Sequence, residues 1–262
     1  MKPLFVRQDR LIAHAAGGLL LLLLLNGCSD PQKDRFQGYV EGEFVYVASP
    51  LAGQLETLSV QRGQQVTTGQ PLFALDETPE KAAREQIEAA LVLSEAELGR
   101  QEKLFRTGVA ATQDLDRARS TRDQDKRRLT QTDWSFDQKK QAAPQSGLVY
   151  DTLFRQGEWV PAGKPVVVLL PPQNIKVRAF VAETRVGSIH YGDTAEVTVD
   201  GVQHPFLGKV SYISPRAEYT PPVIYSRESR AKLVFMVESV FDPGASANLH
   251  PGQPVDVEFK SK

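Results

Sequence analysis

One cysteine in 262 residues excludes an intrachain disulfide and a Cys-x-x-Cys redox pair. The four histidines, His14, His190, His204 and His250, lack metal-ligand spacing, so no metal site is expected. No Gly-x4-Gly-Lys-Ser/Thr loop occurs, so the chain is not expected to hydrolyse ATP, and any energy must come from a partner. No catalytic constellation is visible, which points away from an enzyme. Neither sign of charge dominates: 31 Lys and Arg stand against 32 Asp and Glu, which argues against a nucleic-acid binder. The apolar stretch Leu11 to Leu25 has 15 residues, short of the roughly 20 that span a bilayer as a helix. What is present, 41% hydrophobic residues, is ordinary for a soluble fold of one large domain or two or three small ones.

That short apolar stretch follows Lys2, Arg7 and Arg10 and precedes small and polar residues, the layout of a cleaved export signal. Leu25-Asn26-Gly27-Cys28 resembles the bacterial lipobox, in which the cysteine thiol receives a diacylglycerol and the signal is cut just before it. Asn26 is an unusual occupant of the pattern. Cys28 is therefore expected to be a lipid anchor, the alternative being an uncleaved segment with an incidental cysteine. Removal of residues 1–27 leaves 28 Lys and Arg against 31 Asp and Glu, a net charge of −3 in place of −1. Ser29 follows the cysteine, with Asp30 behind it. Asp directly after the cysteine would retain a lipoprotein at the inner membrane by the enterobacterial sorting rule, and here Ser29 takes that place.

An internal repeat dominates the mature chain. Pro50, Gly53, Gly63, Val66, Gly69, Pro71 and Leu75 match Pro144, Gly147, Gly157, Val160, Gly163, Pro165 and Leu169 at a constant offset of 94. Each copy reads as short strands with apolar alternation, Leu55, Leu58 and Val60 in one and Val149, Leu153 and Phe154 in the other, punctuated by glycine turns. Neither copy is long enough to close a core, so the two are expected to pack face to face in a small sandwich.

The segment between the copies is rich in Ala, Glu, Gln, Arg, Lys and Asp. Thr78-Pro79 predicts a helix opening with a hydroxyl cap, Ile87, Leu91, Ser94, Leu98 and Phe105 predict its buried stripe, and Gly108 predicts its stop. A second helix is predicted from Thr112, with Asp114 and Asp116 in its first turn and a seam through Leu115, Ala118, Arg122, Asp125, Leu129, Thr132 and Phe136. The two make an antiparallel hairpin about 40 Å long. Arg122 and Asp125 weaken the seam, so the hairpin is expected to depend on neighbours in an assembly, or else to be a solvated spacer. From Asn174 to Phe259 the chain alternates as strands: Ile175, Val177, Ala179, Val181; Ala195, Val197, Val199; an Asp200-Gly201 turn; and Val255, Val257, Phe259. Glu183 to Ile189 fits one or two helical turns.

A lipobox, a half-motif, a helical hairpin, a second half-motif and a β-rich tail, in that order, resemble the HlyD and AcrA-like membrane fusion proteins, the periplasmic adaptors of bacterial export systems. Ala217 to Ser239 is similar to the YbhG-like adaptors of ABC-type exporters. The resemblance implies a mainly β fold with an α-helical hairpin: a lipoyl-like barrel-sandwich hybrid split by the hairpin and followed by a β-barrel domain. The expected boundaries are 1–27 for the signal, 28–42 for a linker, 43–77 and 139–172 for the half-motifs, 78–138 for the hairpin and 173–262 for the barrel. The implied role is to couple an inner-membrane exporter, of ABC type, to an outer-membrane duct of the TolC kind, with copies packed in a ring on a lipid-anchored base.

"RQEKLFRTGVAATQDLDRA", Arg100 to Ala118, looks like the family's tip motif. Arg100 and Leu104 match it, while the serine position holds Ala111 with Thr112 beside it. By resemblance Arg100, Leu104, Gly108, Ala111 and Thr112 meet the outer-membrane channel. A lipoyl or biotinyl carrier would present a modified lysine where this chain inserts its helices, and only Met1 and Met236 occur, so no Met-Lys-Met signature exists and neither lipoate nor biotin is expected. The remaining alternative is a passive envelope lipoprotein with a ligand-binding or structural role.

Overall fold

The computed structural model describes residues 35–219 and 233–261. The leader, Cys28 and most of the segment 217–239 singled out for its YbhG-like character lie wholly or partly outside the described residues. Among them, no helix is long and apolar enough to cross a membrane.

The half-motifs form two four-stranded sheets. Half 1 supplies β2 (Val45–Ala48), β3 (Gly53–Leu58), β4 (Gln65–Val66) and β5 (Pro71–Leu75); half 2 supplies β6 (Lys140–Ala142), β7 (Gly147–Thr152), β8 (Trp159–Val160) and β9 (Pro165–Leu170). The strand orders are β2-β9-β7-β4 and β6-β5-β3-β8. Each sheet thus takes strands from both halves, which corrects the expectation of one half stacked on the other. The reason is in the ends: neither half has enough strand length to satisfy its own edges, and each pairs with the other instead.

The offset of 94 governs the hydrogen bonds as well as the letters. Gly63 N donates to Val149 O and Gly157 N to Leu55 O, both at 2.8 Å; Gly69 N donates to Ala143 O and Gly163 N to Ser49 O, again at 2.8 Å. All four glycines have positive φ, between 72° and 90°, which a side chain would strain. Leu55, Leu72, Leu75, Val149, Val166 and Leu169 fill the core between the sheets, fully shielded from water.

The same pseudo-twofold relation places the two attached modules. The helices leave between β5 and β6; the barrel leaves between β9 and β2, the equivalent pair in the other half. Hairpin and barrel therefore spring from opposite poles of the sandwich.

The barrel is closed, in the order β1-β10-β13-β12-β11-β14. Its strands are β1 (Arg35–Gly42), β10 (Ile175–Ala182), β11 (Thr194–Thr198), β12 (Phe206–Tyr219), β13 (Leu233–Val240) and β14 (Pro254–Lys260). The alternation read in the tail is the inside of this barrel: Ile175, Val177, Ala179, Val181, Ala195, Val197, Val255 and Val257 are all buried. A short helix at Glu183–Val186 bridges β10 and β11. Residues 35–42, expected within a linker, are instead a barrel strand paired with both β10 and β14. Without β1 the barrel would be open between those two strands. Gly38 permits the closure, since a Cβ there would sit 2.3 Å from the carbonyl oxygen of Arg178.

Barrel and sandwich are joined by short polar contacts. Glu43 N donates to Asn174 O at 3.0 Å, Asn174 Nδ2 donates to Glu43 O at 2.9 Å, and Lys176 Nζ pairs with the Glu43 carboxylate at 2.6 Å. Lys176 also pairs with Glu238 at 2.8 Å, and Glu238 with Arg178 at 2.8 Å. Burial opposes the charge on Lys176, Arg178 and Glu238. For Lys176 the hydrogen bonds to Glu238 and Glu43 outweigh it and raise the pKa; for Glu238 those from Lys176 and Arg178 outweigh it and lower the pKa.

Candidate functional site

The hairpin consists of α1 (Thr78–Arg106) and α2 (Thr112–Asp137), 29 and 26 residues long. The N-cap of α1 is Glu77, and no hydroxyl caps the helix; Asp76 Oδ1 accepts from Thr78 N at 3.0 Å instead, and the Thr78 hydrogen bonds hold the Asp76 carboxyl below its ordinary pKa. Thr78 is one position too far in to cap, because Asp76 already occupies the first free amide.

The base of the hairpin is clamped to the sandwich. Lys139, only 3% exposed, donates from Nζ to Ala52 O at 2.8 Å and pairs with Glu80 at 2.9 Å. Ser49 Oγ donates to Gln138 O at 2.9 Å, Lys140 pairs with Glu77 at 2.7 Å, and Arg84 pairs with Asp133 at 2.5 Å. Arg84 and Lys140 also sit over the ring of Phe136, at 5.6 and 5.0 Å from its centroid. These contacts join α1, α2 and the half-1 loop, and so fix the direction in which the hairpin leaves the sandwich.

Between base and tip the seam is thin. Leu98, Leu115 and Ala118 form its only buried apolar cluster among the described residues, and Ser94 and the charged Asp125 are the other buried side chains of the two helices. The polar interruption read at Arg122 and Asp125 is real: Asp125 is buried and Arg122 half-buried between the helices. Phe105, read as the end of the buried stripe, is exposed. Helix α1 ends one residue later and α2 begins at Thr112, so no side chain remains opposite Phe105 to cover it.

The tip itself is a compact turn from Thr107 to Ala111. Leu104 O accepts from Val109 N at 2.9 Å, from Ala110 N at 3.3 Å and from Thr107 Oγ1 at 2.9 Å, while Gly108, at φ 73°, reverses the chain. Ala111 is the N-cap of α2, and no side chain caps that helix, so Thr112 is exposed at the first helical position. Leu104, Gly108, Ala111 and Thr112 are thus brought together at the tip, with Leu104 half-buried. Arg100 stands one turn below Leu104 on the same helix face, paired with Glu97 at 2.8 Å. Sequence reasoning missed Val109, which is 73% exposed at the apex beside Phe105. Two apolar residues flanking a turn glycine with no seam position left for either was the signal available.

Chemically the tip offers two exposed apolar side chains, Phe105 and Val109, with the exposed Arg106 and Thr112 near them in the chain. It holds no titratable cluster, and no group of three metal-ligating side chains occurs among the described residues.

A profile for the barrel-sandwich hybrid domain of RND membrane fusion proteins (MFP) matches residues 43–170. The chain is 27% identical to the UPF0194 membrane protein YbhG of Salmonella arizonae, covering 86% of this chain and 88% of that one. It is 24% identical to a UPF0194 membrane protein of Enterobacter sp. strain 638, covering 87% and 90%. In fold it is similar to a chimaera of MacA with the Pseudomonas aeruginosa MexA α-hairpin, at a TM-score of 0.71, 19% identity, and coverage of 87% of this chain and 81% of that one. The membrane fusion protein Spr0693 of Streptococcus pneumoniae R6 gives a TM-score of 0.67 at 20% identity, covering 87% and 99%.

Proposed function

We propose that this chain, whose residues 43–170 match the barrel-sandwich hybrid domain of membrane fusion proteins, is a non-enzymatic periplasmic adaptor of that family and couples an inner-membrane exporter of ABC type to an outer-membrane channel of the TolC kind. The observation that carries the reading is the placement of an exposed apolar tip at the pole opposite the barrel. An adaptor needs two docking ends held a fixed distance apart. Here the barrel and sandwich form one end, and about 40 Å of helix, at 1.5 Å per residue, sets the tip away from it.

In this reading Leu104, Gly108, Ala111 and Thr112, with Arg100 below them, meet the channel. Ala111 gives up a hydroxyl at the contact, and Val109 and Phe105 supply apolar area in its place. Acyl chains on Cys28 tether the base to the inner membrane; one chain binds only marginally, so the two or three of a lipoprotein matter. Copies stand side by side in a ring whose hairpins line a conduit. The sandwich carries no lipoyl or biotinyl group, because the connection that would present the lysine is replaced by the hairpin.

Photo-crosslinking in living cells tests this, with the probe placed in turn at Leu104, Val109 and Ala111, and at the exposed barrel residue Leu207 as a control. Crosslinks from the tip positions alone to an outer-membrane channel are expected. A folded, exported protein whose tip captures no channel would overturn the coupling role and leave a passive envelope lipoprotein.

A further inference from the structure

The sandwich has two joints, one to the barrel and one to the arm, and they are made of different material. At the barrel joint the apolar core runs straight through. Leu170, the last residue of β9 and only 4% exposed, belongs to the same buried cluster as Val40, Ile175 and Val177 of the barrel. Phe44 packs against that cluster, and its ring lies 4.4 Å from the ring of Tyr150 in β7. The two bodies are pressed close: a Cβ on Gly42 would lie 3.0 Å from Leu170 Cδ1 and 2.7 Å from Pro251 Cγ. Ser246 Oγ, in a fully buried residue, donates to Pro172 O at 2.7 Å, and Gln173 Nε2 donates to Gln145 Oε1 at 2.8 Å, so the connecting turn is held from both sides.

At the arm joint the core stops. The sandwich core has no member in either helix, and the arm's own cluster of Leu98, Leu115 and Ala118 has none in the sandwich. Ser94, the first buried side chain of α1, stands about 24 Å along the axis from Thr78, at 1.5 Å per residue. On α2 no side chain after Asp125 is buried. What bridges the gap is polar: Lys139 to Ala52 and Glu80, Lys140 to Glu77, and Arg84 to Asp133. The last two pairs are partly exposed and individually weak, whereas a shared close-packed core resists displacement. Beside them lies a cleft of about 260 Å³, walled by Leu51 of the β2–β3 loop, Pro79, Glu80 and Ala83 of α1, and Thr132 and Ser135 of α2.

We propose that barrel and sandwich move as one rigid body, and that the arm swings on it about Glu77 and Gln138, closing the cleft over Leu51. Glu77 and Gln138 flank the two helices, where a change of backbone angle disturbs neither helix nor sheet. Lys139 is the latch. Its Nζ has three donors and engages two acceptors, Ala52 O and Glu80 Oε1, while Glu80 Oε2 is buried without a hydrogen-bond partner. As α1 tilts, Nζ passes from Ala52 O to that free oxygen. The closed position thus keeps the ion pair and gains apolar contact of Leu51 with Pro79 and Ala83. A displacement of the barrel then reaches the base of the arm undiminished and is taken up there.

Pulsed electron-resonance distances in the full chain test this, with spin labels carried on genetically encoded non-natural residues that leave Cys28 untouched. One pair spans the barrel joint, at Glu56 and Leu207; the other spans the arm joint, at Glu56 and Glu95, and all three positions are exposed. The barrel pair is expected to give one narrow distance, and the arm pair a distribution at least twofold wider. Ala83→Trp, at an exposed helix position, places an indole in the cleft. It is expected to narrow the arm pair to the width of the barrel pair while leaving helix content unchanged. A barrel pair as wide as the arm pair, or an arm pair as narrow as the barrel pair in the unsubstituted protein, overturns the proposal. An arm pair that stays wide in Ala83→Trp places the swing away from the cleft and overturns the closure over Leu51.

Discussion

The sandwich and the hairpin are built on opposite economies. In the sandwich, two short halves share their strands and close on a dry core of Leu55, Leu72, Leu75, Val149, Val166 and Leu169, so that the central pair of each half, β3 with β5 or β7 with β9, is flanked on both sides by strands of the other. The hairpin has some six turns per helix between its clamped base and its tip, yet among the described residues buries only Leu98, Leu115 and Ala118 as apolar residues and places Ser94 and Asp125 where a self-sufficient seam would have leucine. The sandwich is a mount that holds itself together. The hairpin is an arm whose order is completed by what it touches.

The sharpest break of that comparison is a cavity in each region. Leu55→Ala in the sandwich is expected to cost about 3 kcal/mol and to lower the global melting temperature, because both sheets meet at that side chain. Leu98→Ala is expected to cost less than about 2 kcal/mol and to leave the sandwich transition unmoved, since its cluster has only two other members. Equal effects in thermal or urea unfolding would erase the distinction.

Next in size is the clamp that joins the two regions. Lys139→Met leaves the Ala52 carbonyl and the Glu80 carboxylate without their shared donor, at a cost of about 2 kcal/mol. The loss should be read mainly as faster proteolysis at the base of the hairpin, with the barrel unaffected. A smaller effect of opposite sign is expected within the arm: Asp125→Leu should raise hairpin stability by about 1 kcal/mol by filling the seam, and unchanged helix unfolding would show that the polar interruption is not what weakens it.

The smallest expected effect is on the joint between barrel and sandwich. The Glu238 carboxyl is held below its ordinary pKa by Lys176 and Arg178 once burial is overcome, so its contribution is present in full above the ordinary carboxylate range and is lost as pH falls through the lowered value. Lys176 has a raised pKa, so its share is present below the ordinary lysine value and is lost only as pH rises through the raised one. Barrel stability should be flat near neutrality and fall in acid, and Glu238→Gln should flatten the acid limb of a melting-temperature profile.

How much of this was legible in the sequence depends on the range of the interaction. The repeat was visible because four of its glycines, Gly63, Gly69, Gly157 and Gly163, occupy backbone conformations that only glycine takes easily. The interleaving of the halves was not, because β3 with β8 and β4 with β7 pair across the helical insert and leave no local mark. β1 hid for a different reason: among "RFQGYVEG" only Val40 lies fully inside the barrel, and the two glycines read as linker. In the arm, the period of the buried stripe correctly carried through Leu98 but overran at Phe105, where the partner helix had already turned back. The tip residues read by resemblance do lie together; the apolar apex at Val109 belongs to the turn, where periodicity is silent.

Hydrogen exchange of the full protein, measured at high dilution and again under conditions of self-association, bears most directly on the division between mount and arm. Amides of residues 78–137 are expected to exchange at least roughly a hundredfold faster than those of β3, β5, β7 and β9 in the dilute protein, and to slow on association. A hairpin as protected as the sandwich in the dilute monomer would contradict the account.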